Sequence, residues 1–318
     1  MKKFIQRLLL WAAIIYLLAL GVDYMISSGL RKTDIRKYAV WNDIYHKNIH
    51  SDLLVIGSSR AWCGYDTYIL DSILRCNSYN LGLDGHAIDG QIIRYNTYKR
   101  FCELPTNIII NIDMLSTFGN SSDGQYEREQ YFPYILDDSL ISVVKKGKEI
   151  SFFDRYIPLF RYYGYRNEIN DGISAFWGKR DFFDGGMYKG YRGNNYEWSE
   201  GILSKDTVVD VSLSLRQSYI DMLKDFINQM KRDGINVILV KSPVYSPLFS
   251  KLMNVEKSDS VFLSVSNICD VPILDYYHMC ISDDSSYFYN SSHMNTKGAE
   301  AFTLQLAHDI DSLGLLKK

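Results

Sequence analysis

The stretch DLLVIGSSR, residues 52–60, decides the predicted fold. Its apolar residues 53–56 predict a short buried strand, and the triplet Gly57-Ser58-Ser59 ends that strand abruptly. In open α/β sheets the chemistry lies at the carboxyl ends of the strands. A serine in this place is therefore either a nucleophile or part of an ordinary turn. The triplet alone favours the turn.

Strands and helices alternate on both sides of a long central segment, which predicts a parallel sheet covered by helices. We expect a three-layer α/β/α architecture. The predicted strands are residues 53–57, 77–82, 107–112, 237–240 and 271–274, and the predicted helices are residues 66–75, 86–101, 215–230 and 295–313.

The composition is that of a globular protein with a packed core, because 47% of the 318 residues are hydrophobic. The 35 basic and 37 acidic residues nearly cancel, leaving a formal net charge of −2. This balance does not favour a nucleic-acid partner.

The amino terminus has the pattern of a membrane-targeting segment. Lys2, Lys3 and Arg7 precede an uncharged apolar run, Leu8–Val22. We predict that residues 1–25 are an uncleaved membrane anchor or a cleaved signal, with the anchor favoured. Positive charge ahead of the run predicts that the rest of the chain lies outside the cytoplasm, on a single-pass protein of the inner or plasma membrane. Residues 26–51 are then a stalk that leads to a domain over residues 52–318.

Residues 116–210 interrupt the strand and helix pattern as an aromatic-rich insertion. Of the 73 residues between Tyr126 and Trp198, 19 are Phe, Tyr or Trp. These side chains either line a groove for a sugar polymer or form the core of a cap on the sheet, and the core is favoured. Outside the insertion, Cys76 and Cys102 are predicted at the same edge of the sheet, where we hypothesise a disulfide.

Three stretches meet at the predicted carboxyl edge of the sheet. Ser59 stands at the turn after the first strand, where a nucleophile and an oxyanion-binding N–H can be exposed together. Asn80 to Gly85, with the sequence NLGLDG, follows the second strand and can bring a glycine N–H close to a substrate. His293 precedes the last helix, a suitable place for a general base.

Together these stretches resemble the SGNH (GDSL-like) hydrolase superfamily. Gly57-Ser58-Ser59 is similar to its first block, Asn80–Gly85 to its second block and Asn290–His293 to its last, Asp-x-x-His block. The resemblance implies a flavodoxin-like parallel sheet and a site without cofactor or metal. By the resemblance, Ser59 is the nucleophile and His293 the base, and the N–H groups of Ser59 and Gly85 form the oxyanion hole, with Asn80 in support.

The chain departs from the family pattern at the position of the triad acid, which here is Asn290. An amide can orient a histidine but cannot stabilise its cationic form by charge. We therefore expect a dyad of Ser59 and His293 with Asn290 as the orienting residue. The candidates for the missing carboxylate are Asp275, at the end of the fifth predicted strand, and Asp283 and Asp284 in the loop between that strand and His293.

A second departure lies after the third predicted strand, where Asp113 occupies the place of the family's oxyanion-hole asparagine. A carboxylate there would repel a developing oxyanion. We therefore predict that Arg60 pairs with Asp113 and neutralises its charge.

The triplet with an amino-terminal anchor resembles the extracytoplasmic branch that contains alginate O-acetylation and lipoteichoic-acid D-alanylation proteins. That branch implies an esterase or O-acyltransferase acting on an acylated or acceptor glycan at the cell surface, with a membrane O-acyltransferase as a further partner. The same residues allow a plain esterase in which water accepts the acyl group. A third possibility is a catalytically silent glycan-binding or scaffold protein that has kept the fold.

Overall fold

The computed structural model describes residues 1–118, 128–144, 150–179, 187–199, 211–212 and 215–317. The chain divides into two compact units. The anchor unit comprises Met1–Asp43 and Glu127–Gly185, and the sheet unit comprises Ile44–Tyr126 and Gly186–Lys318. The predicted insertion, residues 116–210, is thus shared between the two units, and part of it lies outside the described residues.

The sheet unit is built on five parallel strands in the order β2-β1-β3-β4-β5, the order of a doubly wound sheet. The strands are β1 (Leu53–Ile56), β2 (Ser78–Asn80), β3 (Asn107–Asn111), β4 (Asn236–Lys241) and β5 (Ile273–Asp275). All five lie where the sequence pattern predicts strands. The order reverses at β1, which pairs with β2 on one side and β3 on the other, so the carboxyl end of β1 lies at the switch point.

The described helices of this unit pack on the two faces of the sheet. They are α3 (Ser59–Gly64), α4 (Thr67–Leu74), α5 (Ile88–Phe101), α9 (Gln217–Arg232), α10 (Val255–Cys269) and α11 (Thr296–Ser312). Leu53 and Val55 of β1 lie in one hydrophobic core with Phe302 of α11. Because side chains alternate along a strand, Leu54 and Ile56 point to the opposite face, where they are equally buried.

Helix α11 is joined to the segment that follows β1. The Thr303 hydroxyl donates to the carbonyl oxygen of Gly64 over 3.1 Å and accepts from the N–H of Asp66 over 3.0 Å. The rings of Tyr65 and Phe302 meet edge to face with centroids 5.1 Å apart. The helix that follows His293 is therefore held against the helix that begins at Ser59.

The anchor unit is organised around one long amino-terminal helix. Its helices are α1 (Lys2–Leu30), α2 (Arg36–Tyr45), which reaches into the sheet unit, α6 (Asp138–Val144), α7 (Phe152–Tyr156) and α8 (Arg166–Phe176). Helix α1 is long and apolar enough to span a membrane or to act as a signal anchor. Its side chains are exposed as far as Val22, apart from the half-buried Ala19, and burial begins at Asp23.

Burial begins at Asp23 because the insertion packs against the last two turns of α1. Asp23 forms an ion pair with Arg161 and accepts a hydrogen bond of 2.8 Å from the N–H of Leu159. At Gly29 the helices α1 and α8 approach so closely that an added Cβ would lie 1.7 Å from the carbonyl oxygen of Gly172. The end of α1 is thus part of the folded core of this unit.

The predicted stalk, residues 26–51, contains the end of α1 and all of α2. Trp41 of α2 is fully buried and donates from its indole N–H to Gln130 over 2.8 Å. The aromatic residues of the insertion differ in burial, and neither a sugar-binding groove nor a cap on the sheet follows from this difference. Tyr162 is buried as core, whereas Tyr163 and Trp177 are 89% and 70% exposed.

The remaining strands are short and lie outside the five-stranded sheet. Met187–Tyr188 pairs with Tyr191–Arg192, Val211–Ser212 with Leu252–Met253, and Phe288–Asn290 with His293–Met294.

The predicted disulfide between Cys76 and Cys102 is wrong. Both cysteines are free, and the Cys102 thiol contacts the carbonyl oxygen of Ile44 over 3.7 Å.

Candidate functional site

The turn after β1 gives its two serines different environments. Ser58 is buried and caps α3, since its hydroxyl oxygen lies 3.4 Å from the N–H of Arg60. The same hydroxyl donates to Asp113 over 3.1 Å. Ser59 is the first residue of α3 and is only half buried. Gly57 is needed ahead of them, because a Cβ there would lie 2.6 Å from the side chain of Ala61.

The structure brings Ser59 and His293 into direct contact. The Ser59 hydroxyl oxygen lies 2.7 Å from Nε2 of His293, within the distance at which an imidazole can take a proton from a hydroxyl. These residues are separated by 234 positions in the chain. They meet because the hairpin carrying His293 precedes α11, which packs against α3.

Asn290 lies opposite His293 in the hairpin formed by Phe288–Asn290 and His293–Met294. Its Oδ1 atom lies 3.0 Å from Nδ1 of His293. The same atom accepts from the backbone N–H groups of Ser292 at 3.0 Å and of His293 at 2.9 Å. Backbone N–H groups can only donate, so the atom that receives them must be the amide oxygen.

This assignment fixes the protonation of the imidazole. An amide oxygen can only accept, so Nδ1 of His293 carries the proton that it shares with Asn290. Nε2 is then the unprotonated ring nitrogen, and it faces the Ser59 hydroxyl. The tautomer needed for a general base is therefore set without a carboxylate. Ser292 contributes a second oxygen, 3.0 Å from Nδ1.

An aromatic side chain packs against the face of the His293 ring. The ring of Tyr289 lies nearly parallel to His293, with centroids 5.3 Å apart. Tyr196, which is 60% exposed, meets Tyr289 edge to face. Sequence reasoning missed Tyr289 and Ser292 as neighbours of the histidine. Their adjacency to Asn290 and His293 in the chain was the available signal.

Asn80 fastens the loop after β2 to the helix that carries Ser59. Its amide nitrogen donates to the carbonyl oxygens of Ala61 at 2.8 Å and Tyr65 at 3.2 Å. Its amide oxygen accepts from the N–H of Gly82 at 2.9 Å. Asn80 is completely buried, so all three bonds form away from solvent. The predicted supporting role of Asn80 thus corresponds to a physical link between the two segments.

The loop continues close to the Ser59 turn. The N–H of Leu83 donates to the carbonyl oxygen of Gly57 over 2.9 Å. Gly85 has a positive φ of 71°, a conformation that favours glycine. Among the described residues, no hydrogen bond from the backbone N–H of Ser59 or of Gly85 is found.

Asp113 has a different role from the predicted one in the oxyanion hole. Its carboxylate is fully buried and accepts from the N–H groups of Leu115 at 2.9 Å and Ser116 at 2.7 Å. The carboxylate also accepts a hydrogen bond from the Ser58 hydroxyl, and the backbone N–H of Asp113 donates to the Thr117 hydroxyl over 2.8 Å. No donor of Asp113 remains for an oxyanion. The residue instead fastens the loop after β3 to the Ser59 turn.

The predicted pairing of Arg60 with Asp113 is wrong. Arg60 is 4% exposed and donates from Nη2 to the oxygens of Ser242 and the carbonyl of Pro243, at 2.6 to 3.0 Å. No ion pair joins it to Asp113 within the described ranges. Burial raises the pKa of Tyr277 strongly, while Arg60 lowers that pKa and Asp113 raises it. Arg60 and Asp113 therefore both influence the buried Tyr277 hydroxyl, although the two charged side chains do not form an ion pair with each other.

Asp275 does not supply the missing carboxylate. Its carboxylate pairs with the buried Lys241 at 2.5 Å and accepts from the N–H of Tyr277 at 3.0 Å. Lys241 also pairs with Asp259 at 2.8 Å. The prediction that Asp275 acts on His293 is therefore wrong, and the side chains of Asn290 and Ser292 are the ones found at Nδ1.

Within the part of the chain that the structure describes, no three His, Cys, Asp or Glu side chains cluster as metal ligands would. The arrangement combines the Ser59 hydroxyl, the His293 imidazole that contacts it and the backbone N–H groups of Ser59 and Gly85, which come from three separate segments of the chain. This is a set of groups suited to acyl transfer.

Comparison with known proteins adds no relative. No protein-family model matches the chain, and no curated protein shows significant similarity to it.

Proposed function

We propose that this protein is a serine-dependent acyl-ester hydrolase or O-acyltransferase with a flavodoxin-like, SGNH-type three-layer α/β/α domain. The observation that carries the proposal is the fixed amide oxygen of Asn290. It leaves Nε2 of His293 as an acceptor 2.7 Å from Ser59. A serine hydroxyl is a weak nucleophile unless such a base takes its proton.

In the proposed reaction, the Ser59 oxygen attacks the ester carbonyl carbon while its proton passes to Nε2 of His293. The carbonyl oxygen becomes an oxyanion, which the N–H groups of Ser59 and Gly85 stabilise. Collapse of this intermediate breaks the bond to the alcohol, which leaves with the proton from His293. An acyl group then remains on Ser59. A second hydroxyl group, activated by the same imidazole, takes the acyl group and restores the enzyme.

The second hydroxyl belongs either to water, as in hydrolysis, or to a carbohydrate, as in transfer. We favour a cell-surface carbohydrate as acyl donor or acceptor, because the SGNH-type motifs and the amino-terminal helix together resemble the envelope-modifying branch. In this proposal α1 crosses the inner or plasma membrane once and the sheet unit is extracytoplasmic. A membrane O-acyltransferase is the expected source of the acyl group.

Labelling with a fluorophosphonate probe tests the proposal on the full-length chain in detergent or vesicles. Ser59→Ala should abolish labelling, since the probe reacts only with an activated serine. Ser58→Ala is the matched control, because Ser58 is the adjacent buried cap, and labelling should persist. Assays with p-nitrophenyl acetate, with and without acceptor glycans, then separate hydrolysis from transfer.

The competing function is a catalytically silent glycan-binding or scaffold protein. The neutral Asn290 in the position of the acid favours it. A folded wild-type chain that shows no labelling, together with glycan binding that survives Ser59→Ala, would establish this alternative.

A further inference from the structure

The short helix α7 (Phe152–Tyr156) turns aromatic side chains out of the anchor unit. Phe152, Phe153 and Tyr156 are 59%, 54% and 51% exposed, and the nearby Phe160 is 48% exposed. Their rings touch in series. The ring centroids of Phe152 and Tyr156 are 4.6 Å apart, and those of Phe153 and Phe160 are 5.5 Å apart. The four rings form one continuous apolar surface, which we call the aromatic wedge.

Of the two charged residues of α7, one is buried and the other lies against a ring of the wedge, with the Arg155 guanidinium 5.4 Å from the centroid of Tyr156. Asp154 is 1% exposed, caps the helix together with Ser151 and pairs with Arg128 at 2.6 Å. Arg155 pairs with Asp138. Both charges of the helix are thus committed to partners within the anchor unit. The outward side chains of the helix are left entirely aromatic.

The aromatic wedge lies beside the apolar part of α1. The hydroxyl of Tyr16 donates to the carbonyl oxygen of Tyr156 over 3.3 Å. Tyr16 precedes the buried Asp23 by seven residues, so this contact lies about 10 Å before Asp23 along the helix axis. On α1, the neighbouring Leu17 and Leu18 are 65% and 66% exposed. The exposed apolar surface of the wedge is therefore continuous with that of the helix.

The dimensions of α1 indicate what covers this joint surface. The exposed run from Phe4 to Val22 spans about 28 Å, close to the thickness of about 30 Å of a hydrocarbon core. If Asp23, with its partner Arg161, marks the end of that core, the contact of Tyr16 with Tyr156 lies about 10 Å inside. Interfacial aromatic elements reach depths of about 5–10 Å. The wedge is thus placed inside the hydrocarbon core, at the deep end of this range, where exposed apolar rings are stabilised by the lipid chains.

We propose that the aromatic wedge inserts into the lipid bilayer, in the leaflet through which α1 leaves the membrane. The inserted rings fix the depth of α1 and hold Asp23 and Arg161 at the membrane surface. The occupant of this surface is the acyl-chain region of that leaflet. The inference rests on the membrane anchoring in the proposed function and is independent of the chemistry at Ser59.

Depth-dependent quenching of tryptophan fluorescence tests this proposal on the full-length chain in phosphatidylcholine vesicles, with and without brominated acyl chains. Three single variants are compared with the unsubstituted chain, so that the native tryptophans are subtracted. Phe153→Trp probes the wedge, and Leu17→Trp reports whether α1 is in the bilayer. Leu136→Trp is the matched exposed control, because Leu136 is 72% exposed and follows Pro133, whose carbonyl accepts from Arg31 beyond the end of α1.

We expect the fluorescence added by Phe153→Trp to fall about twofold or more with bromines on the acyl chains, most strongly at the carbons that lie about 5–10 Å below the headgroups. The signal added by Leu136→Trp should be unchanged. Phe160→Trp, at the other end of the ring series, should reproduce the quenching if Phe153→Trp disturbs packing. Quenching of Leu17→Trp without quenching of either wedge variant would overturn the wedge and leave the anchor intact.

Other outcomes are equally decisive. If Leu17→Trp is also unquenched, the membrane placement of α1 fails, and the wedge with it. If the wedge variants are unquenched and become shielded only as the protein-to-lipid ratio rises, a second copy of the chain covers the surface. Fluorophosphonate labelling of Ser59 in the same vesicles reports separately on the proposed chemistry.

Discussion

Replacing Asn290 by aspartate should accelerate the reaction of Ser59. The amide oxygen of Asn290 lies 3.0 Å from Nδ1 of His293 and receives the N–H groups of Ser292 and His293. A carboxylate oxygen accepts the same three hydrogen bonds in the same place. The substitution therefore adds a negative charge beside the imidazole without changing which ring nitrogen carries the proton.

The size of the gain follows from the electrostatic stabilisation of the imidazolium that forms when Ser59 attacks. Two unit charges about 4 Å apart attract by about 1 kcal/mol in water and about 4 kcal/mol at an effective dielectric constant of 20. Asn290 is half buried, so a value near 2 kcal/mol is appropriate, which corresponds to about 30-fold in rate. A serine protease loses about 10⁴-fold when its triad aspartate becomes asparagine, but there the tautomer is lost as well.

The assay is the second-order rate of fluorophosphonate labelling as a function of pH. Asn290→Asp should label about 10- to 100-fold faster than wild type at a pH above the midpoints of both proteins, where the imidazole is neutral in each. Its pH midpoint should rise by about one to two units, because an adjacent carboxylate favours the protonated imidazole. Asn290→Ala, which removes the acceptor, should label more slowly than wild type.

A folded Asn290→Asp variant that labels no faster than wild type would refute the reasoning, as would a midpoint that moves to lower pH. Either result would mean that Asn290 does not hold the tautomer inferred from its hydrogen bonds. Thermal unfolding of both variants controls for damage to the hairpin.

Three further predictions concern the framework around the site and the anchor. Asn80→Ala should lower the free energy of unfolding by about 3 kcal/mol, because it leaves buried backbone groups unpaired; chemical denaturation measures this. Gly29→Ala should expose the anchor unit to limited proteolysis, since its Cβ would meet the Gly172 carbonyl oxygen at 1.7 Å, whereas Gly21→Ala has open space and should behave as wild type. Burial lowers the pKa of His86 to about 4. The folded state thus binds fewer protons than the unfolded state, and stability should fall by up to about 3 kcal/mol between pH 6.5 and 4, a slope that His86→Gln should reduce.

The sheet was predictable because its strands carry a local signal. Residues 53–56 and Ile108–Ile110 are continuous apolar runs, which are typical of strands buried on both faces. The proximity of Ser59 and His293 followed from the same reasoning, since each lies at the carboxyl end of the sheet or just before a helix that packs there. The sheet and the proximity of Ser59 and His293 both follow from the order of strands and helices along the chain.

The choice of hydrogen-bond partners was not predictable in the same way. Arg60 was expected to find the opposite charge of Asp113, but backbone carbonyls at Ser242 and Pro243 take its donors instead. A loop carbonyl leaves no mark in the sequence, because every residue has one. Sequence pattern also cannot show that Asp23 meets Arg161, 138 positions further along the chain.

The fixed amide oxygen at Asn290 also bears on the choice between hydrolysis and transfer. In the proposed mechanism, the same imidazolium forms when the Ser59 hydroxyl attacks the ester and when an acceptor hydroxyl attacks the acyl-enzyme. The absence of charge at position 290 would then slow both half-reactions and would not itself select the acceptor. Selection must come from how well an acceptor is held beside His293, since positioning a hydroxyl is worth several kcal/mol over bulk water. Asn290→Asp should thus raise the rates of hydrolysis and transfer by the same factor, with the product ratio at a given acceptor concentration unchanged. A product ratio that shifts with the charge would show that residue 290 also contacts the acceptor.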